Sequence, residues 1–378
     1  MLARATATAS ATARRAMSTV TEITAKAIVY SSYGDPLDTI ACHSYKLPSK
    51  PINGKEVLLQ TLACPLNPSD INQIQGVYPS RPSLTKELGT IEPSAVCGNE
   101  GLFKVLATGS EVSELKAGDW VIPSNVNFGT WRSHALTTSE NLTKLPNDGK
   151  LSIAEAATIT VNPSSAYQML TLYVDLKPGD WFIQNGGNSQ VGRAAIQIGK
   201  TLGLKSISVV RDRPDLKELK EELTQLGATH VITEEENSSR EFGKTIKQWT
   251  EGKPIKLGLN CIGGSNLTNM ARKLGKDATL LTYGAMSLKP VSLPTSLFIF
   301  KNLTAKGFWV TENIKRIPGS RESTIKELIK LYESGDLAEI KHDEIEVSAN
   351  EGTEEEFLAA FKKGLVESKK GKQLVVFK

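Results

Sequence analysis

Residues 187–192 read Gly187-Asn188-Ser189-Gln190-Val191-Gly192, a G-x-S-x-x-G loop between the apolar run Trp181-Phe-Ile-Gln-Asn185 and the amphipathic stretch RAAIQIGKTLGL. It is the dinucleotide-binding G-x-G-x-x-G with Ser at the middle position. Gly187 can supply the tight turn and Gly192 lets the helix approach the strand. Free backbone N–H groups at the helix start then face a diphosphate. Taken alone, such a loop is equally readable as an ordinary turn; its place between strand and helix favours a nucleotide. The next apolar run ends Val210-Arg211-Asp212-Arg213-Pro214, with Arg211 19 residues past Gly192. A site for NAD wants an acid there for the ribose 2′-OH, whereas guanidinium forks suit a 2′-phosphate. Arg211 and Arg213 therefore favour NADPH. Asp212 keeps NAD open, and a solvated surface turn is the plain alternative.

Metal chemistry finds little support. Cys42, Cys64, Cys97 and Cys261, like His43, His134, His230 and His342, are scattered without a CxxC or a Cys/His cluster. Four cysteines in 41.0 kDa are not a disulfide framework either.

The elements that must position these residues fall into two patterns. From Ala25 to about Pro146, AKAIVY, EVLLQTLA, GLFKVLATG, DWVIP and WRSHAL read as strands punctuated by Gly, Pro and Asn. After residue 150 the chain alternates. SIAEAATITVNPSSAYQMLTLYV is helix-like with a break at Asn162-Pro163, and strands WFIQN, SISVV, HVIT, LGLNCI and TLLTYGAM are separated by helices, one of them through ARKLG. Such alternation means a doubly wound parallel sheet. Two helices and a closing strand, QLVVF, end the chain. The architecture expected is α/β: a Rossmann-type sheet over residues 156–319, inserted into a β-rich domain made of residues 23–155 and 320–378.

The formal charge of +4 divides unevenly. Residues 1–21 hold Arg4, Arg14 and Arg15 and no acid, which leaves about +1 on the rest. A near-neutral body does not advertise a phosphate-backbone partner, so nucleic acid is an unlikely ligand. Hydrophobic residues at 39% are enough for sizeable cores, and no apolar run approaches the ~18 residues of a membrane span. The Ala/Ser/Thr/Arg-rich N-terminus, residues 1–22, reads as a mitochondrial transit peptide cleaved between Arg15 and Thr24, and the location as the matrix. A disordered tail is the alternative.

A β-rich domain split around a dinucleotide domain resembles the medium-chain dehydrogenase/reductase superfamily, GroES-like domain included, over residues 25–378. Asn67 in Pro65-Leu-Asn-Pro-Ser-Asp70 and Asn99 in Gly98-Asn-Glu-Gly101 stand where that superfamily's zinc alcohol dehydrogenases carry Cys and His ligands. Neither amide is a competent zinc ligand, which disfavours alcohol oxidation. Several dispersed motifs narrow the resemblance: Asn67-Pro-Ser-Asp-Ile-Asn72, Gly76-Val-Tyr-Pro-Ser-Arg-Pro82, Asn127-Phe-Gly-Thr-Trp-Arg132 and Phe308-Trp-Val310. Together they are similar to the fungal mitochondrial 2-enoyl thioester reductases. Ala285, where glycine is common, and the substituted glycine loop are departures.

That resemblance implies hydride transfer from NADPH to Cβ of a trans-2-enoyl thioester, carried on acyl carrier protein or coenzyme A, with a proton to Cα. It implies Tyr78 as the general acid, donating that proton or orienting the thioester, and Asn67 as a residue positioning the reacting end or holding the nicotinamide side. It assigns cofactor contacts to Asn162, Gly187, Asn188, Ser189, Gln190, Val191, Gly192, Arg211, Asp212, Arg213, Tyr283, Gly284, Ala285, Met286, Phe308, Trp309, Val310 and Lys372, with Lys372 reaching toward a phosphate. It also implies a homodimer and a role in mitochondrial fatty acid synthesis. An NADPH quinone reductase of the same zinc-free class, and a non-catalytic nucleotide- or RNA-binding protein, are the competing readings.

Overall fold

The computed structural model describes residues 22–50 and 53–378. The transit segment expected at 1–22 thus lies outside the described residues but for Glu22, which opens the strand Glu22–Tyr30. Glu22, Ile23 and Thr24 are already in register with Pro48, Leu47 and Lys46.

Three sheets carry the chain. A small antiparallel one sets Glu22–Tyr30 between Ile40–Pro48 and Ala95–Val96. A seven-stranded one runs His342–Val347, Lys372–Phe377, Glu56–Pro65, Leu102–Thr108, Trp120–Pro123, Leu142–Leu145, and His134–Thr138 pairs with Glu56–Pro65 off this path. Its register matters for chemistry. Leu374 pairs with Pro65, so the C-terminal strand delivers Lys372 beside the turn that follows Pro65.

The third sheet is parallel throughout. Numbered by their own order in the chain, its strands lie 3-2-1-4-5-6: His230–Thr233, Lys205–Val210, Trp181–Asn185, Ile255–Asn260, Thr279–Thr282 and Thr304–Gly307. This is the doubly wound dinucleotide-binding order. Trp181–Asn185 is buried at every residue, as a central strand covered by helices on both faces must be. The order reverses between it and Ile255–Asn260, and the crevice outside those two carboxyl ends is where such folds bind ligands.

Three expectations shift. The strands Ile40–Pro48, Leu142–Leu145, Thr304–Gly307 and His342–Val347 went unread, since they mix polar and apolar residues without a clear apolar face. The helix anticipated through ARKLG runs instead over Gly264–Ala271. Left-handed Gly263 starts it early, and Lys273 and Leu274 close it with tight bonds to Met270 and Ala271. The helix-like stretch after residue 150 is two helices, Ile153–Thr158 and Asn162–Thr171, broken at Thr160-Val161. Among the described residues, no helix is long and apolar enough to cross a membrane.

Candidate active site

The glycine loop forms a cradle. Gly186 has φ +61° and makes the turn expected of Gly187, and no side chain would fit there, since Cys261 Sγ lies 2.6 Å from where a Cβ would stand. Gly187 is needed for a different reason: a Cβ on it would meet Ser208 at 2.8 Å. At Gly192 a Cβ would lie 2.6 and 2.7 Å from the Gly186 and Gly187 carbonyl oxygens, so only glycine lets the helix Gln190–Thr201 close on the strand. Ser189 caps that helix, its Oγ accepting from the Gly192 N–H at 3.1 Å. The Gln190 and Val191 amides are left as the free donors of a helix start.

Around the cradle stand polar atoms that the chain itself does not satisfy. The Tyr283 hydroxyl, beside Ser189 and Cys261, and Asn162 Oδ1 are buried without a hydrogen-bond partner. Such groups are costly unless something fills the site, and a dinucleotide's phosphate, ribose and carboxamide groups supply the complements. The residues present therefore fit a nicotinamide dinucleotide. Gly284 carries no side chain where one would press on Cys261 at 3.1 Å. Ala285 and Met286 follow, the Met286 N–H donating to the Cys261 carbonyl at 2.8 Å. Gln190, by contrast, turns its amide to the far side and donates to the Lys341 carbonyl at 2.7 Å. Arg211, Asp212 and Arg213 are exposed at the end of Lys205–Val210, and Arg213 is ion-paired to Asp215 at 2.5 Å. Arg211 is the cation left for a phosphate.

Tyr78 sits half-buried in the irregular segment after the helix Pro68–Ile74. Its ring meets that of Trp309 edge to face, 5.6 Å between centroids and 80° between planes. Phe308 bonds through its N–H to the Thr282 carbonyl at 2.9 Å, which ties this aromatic wall to the strand leading into Tyr283. Val310 begins the helix Val310–Arg316 just beyond. Burial raises the Tyr78 pKa, against a smaller opposite pull from the Trp309 indole, so the phenol keeps its proton at neutral pH.

Beneath Tyr78 lies a buried network that sequence reasoning did not assemble. Lys372 Nζ donates to Asn67 Oδ1, whose Nδ2 donates to Glu100 Oε2 at 3.0 Å. Glu100 Oε1 accepts from Thr160 Oγ1 at 2.9 Å and the Val161 N–H at 2.8 Å, one residue before Asn162. Asp70 accepts from the Asn67 N–H at 2.9 Å and from Asn99 Nδ2 at 2.7 Å. Asn67 and Asn99 thus spend their amides on carboxylates and an ammonium. Lys372 joins this floor rather than Arg211. The signals were present in the sequence: an Asn and an Asp spaced as a capping box in Asn67-Pro-Ser-Asp70, and a lone acid between glycines at Glu100. Among the described residues, no group of three or more His, Cys, Asp and Glu side chains could hold a metal ion.

Two buried groups give the fold a measurable pH signature. Burial raises the Asp70 pKa to about 6, so its contribution to stability is present at low pH and is lost as pH rises through about 6. Burial lowers His134 from 6.5 to about 4, so its contribution is present above 6.5 and is lost as pH falls. Between pH ~4 and ~6 the two run in opposite directions. Denaturant titrations across that range should show Asp70→Asn losing stability more steeply toward acid than wild type, and His134→Gln less steeply. Parallel curves for all three would contradict the assignment.

Fold and site together define a dehydrogenase/reductase of the medium-chain class: residues 53–148 match the alcohol dehydrogenase GroES-like domain, and residues 191–334 the zinc-binding dehydrogenase domain. Within it, the chain belongs to the mitochondrial enoyl-[acyl-carrier-protein] reductases. It is 52% identical to "Enoyl-[acyl-carrier-protein] reductase 1, mitochondrial" of Candida tropicalis, over 94% of this chain and 95% of the relative. The solved Etr1p/NADP/crotonyl-CoA complex aligns with TM-score 0.90 at 52% identity, covering 94% of this chain and all of that one. The Etr1p/Etr2p heterodimer from Candida tropicalis gives the same TM-score at 51% identity, with the same coverage. A relative named NADPH quinone oxidoreductase, from Kluyveromyces marxianus, is 43% identical over 97% of each chain.

Proposed function

We infer that this chain is the NADPH-dependent 2-enoyl thioester reductase of mitochondrial fatty acid synthesis, reducing enoyl groups on acyl carrier protein or coenzyme A. When bound, NADPH supplies a hydride for Cβ. The chain's own residues do the rest. Gly187, Gly192 and the Gln190 and Val191 amides receive the diphosphate, Arg211 the 2′-phosphate, and Asn162 and Tyr283 the nicotinamide half. Tyr78 holds a proton for Cα, and Trp309 walls the cleft. Asn67, fixed between Lys372 and Glu100, presents a rigid floor. The observation that carries this reading is the half-buried Tyr78 phenol packed edge to face on Trp309, in a chain whose glycine loop fits a dinucleotide.

NADPH oxidation followed at 340 nm, with trans-2-hexenoyl-CoA and a benzoquinone offered in parallel to protein lacking residues 1–22, tests it. Turnover of the enoyl thioester is the expected result. Turnover of the quinone alone would favour the reading that the Kluyveromyces relative's name suggests. Arg211→Ala should raise KM for NADPH by about tenfold or more while leaving KM for NADH unchanged, since a charge-assisted hydrogen bond contributes about 1.5–3 kcal/mol. Arg213→Ala, already paired to Asp215, should do less.

The reductase acts as a homodimer. The edge strand Thr304–Gly307 is exposed at all four residues, beside a helix that exposes Phe298, Ile299 and Phe300. An unprotected edge flanked by apolar side chains suits a second copy. Sedimentation of the purified protein at the monomer mass would contradict this. Residues 1–22 serve as a cleaved transit peptide, which an N-terminus of Met1 on protein from mitochondria would refute.

A further inference from the structure

The segment that carries Tyr78 has neither helix nor strand to stiffen it. It leaves the helix Pro68–Ile74 through left-handed Gly76, and the Val77 and Tyr78 N–H groups both donate to the Asn72 carbonyl, at 3.0 and 3.1 Å. That holds the backbone ahead of the ring. Two residues beyond the ring, a second grip closes on Ser80. Gln73 Nε2 donates to the Ser80 carbonyl at 2.7 Å and to Asn127 Oδ1 at 2.8 Å, while Asn127 Nδ2 donates to Ser80 Oγ at 3.1 Å.

The direction of every bond in this cluster follows from one end. Ionised Asp70 can only accept, so Asn99 turns its Nδ2 toward it and also gives a proton to Gln73 Oε1 at 2.7 Å. Gln73 therefore has only its donor end left for Ser80 and Asn127. Asn99 Oδ1 in turn accepts from the Asn127 N–H at 2.8 Å. Asn127 holds φ +66°, a left-handed conformation that Asn tolerates better than most residues. Gln73 is 4% exposed, and its amide is saturated at both ends. A half-buried amide cluster with one polarity, anchored on buried Gln73, is rigid. It grips the Tyr78 segment at Ser80, beside Arg81, whose guanidinium donates to the Gly76 carbonyl at 3.1 Å and ties the two ends of the segment from outside.

We propose that Gln73 and Asn127 are positioning residues for the reaction: by clamping Ser80 they fix the Tyr78 hydroxyl at the substrate's Cα. This rests on the reading of Tyr78 as proton donor. Displacement of a reacting group by about 1 Å can cost on the order of 10²-fold in rate, and that is what loosening the clamp does.

The test is a pair of double-mutant cycles on the full chain, with trans-2-hexenoyl-CoA and NADPH. Asn127→Gly removes the Asn127 side-chain bonds to Gln73 and Ser80 but keeps the left-handed backbone and the Gln73 bond to the Ser80 carbonyl. Gln73→Glu keeps the acceptor for Asn99 but turns a carboxylate on two acceptors. Each should lower kcat by about 10- to 100-fold with KM for NADPH changed less than about twofold. In a Tyr78→Phe background each should lower kcat by less than about twofold, because the group it positions has gone. Ser80→Ala, which leaves the backbone bond in place, gives a milder loss with the same dependence on Tyr78 and serves if Gln73→Glu melts below the assay temperature. Equal losses in both backgrounds, or wild-type kcat in the single variants, would overturn the clamp while leaving Tyr78 its role. Wild-type kcat for Tyr78→Phe itself would instead overturn the proton-donor reading, and the clamp with it.

Discussion

Tyr78→Phe should lower kcat for NADPH-dependent reduction of trans-2-hexenoyl-CoA by about 10²-fold or more, the scale of a lost general acid. Only one oxygen is removed. The edge-to-face contact with Trp309 depends on the ring, so the wall of the cleft and the affinity for NADPH should survive. Burial holds the phenol above its ordinary pKa and the neighbouring Asp70 charge raises it further, so the wild-type group is in its acid form at neutral pH, the form that donates. A second readout separates the donor from a surrogate. In D2O the wild type should label Cα on one face, whereas the variant, if water takes over, should label both. A variant with unchanged kcat would mean that Tyr78 is an ordinary loop tyrosine.

The sequence made some of this architecture legible and hid the rest for physical reasons. The glycine loop could be read because its requirement is local: a strand, a turn, a helix start. Even there the left-handed residue proved to be Gly186, where Cys261, just past the strand Ile255–Asn260, leaves no room for a side chain. The α/β alternation could be read because parallel strands buried on both faces must be continuously apolar. Tyr78 stood out only through resemblance, since nothing local distinguishes GVYP from a turn. The network under it was legible only in fragments, the Asn67/Asp70 spacing and the acid at Glu100, and not as a network. Asn67 meets Lys372 across 305 positions and Glu100 across 33, and such pairings exist only once the C-terminal strand has docked on Glu56–Pro65. The break between the helices Ile153–Thr158 and Asn162–Thr171 looked like proline punctuation. It also frees Thr160 and the Val161 amide for Glu100.

A clear loss of stability should come from Glu100→Gln, on the order of 1–3 kcal/mol, the cost of leaving buried hydrogen-bonding groups unmatched. The carboxylate is 2% exposed and every oxygen is used, on Asn67, Thr160 and Val161. A glutamine fits the same space but carries one acceptor. If that oxygen serves Thr160 and Val161, its NH2 faces Asn67 Nδ2, and Asn67 can relieve the clash only by turning over. It then points its own NH2 at the Lys372 ammonium. The conflict moves along the chain without vanishing, and it ends on a lysine whose pKa burial already lowers and which Glu100 and Asp70 otherwise hold up. Removing the ammonium should therefore relieve what removing the carboxylate caused. Glu100→Gln with Lys372→Met should recover most of the loss in urea titrations, since with the ammonium gone the turned-over Asn67 amide no longer faces a cation. Activity should not return with it, because Asn67 would then be free to adopt either amide orientation beneath the reacting end. If the two substitutions cost stability additively, the charge coupling of Glu100 to Lys372 through Asn67 is wrong.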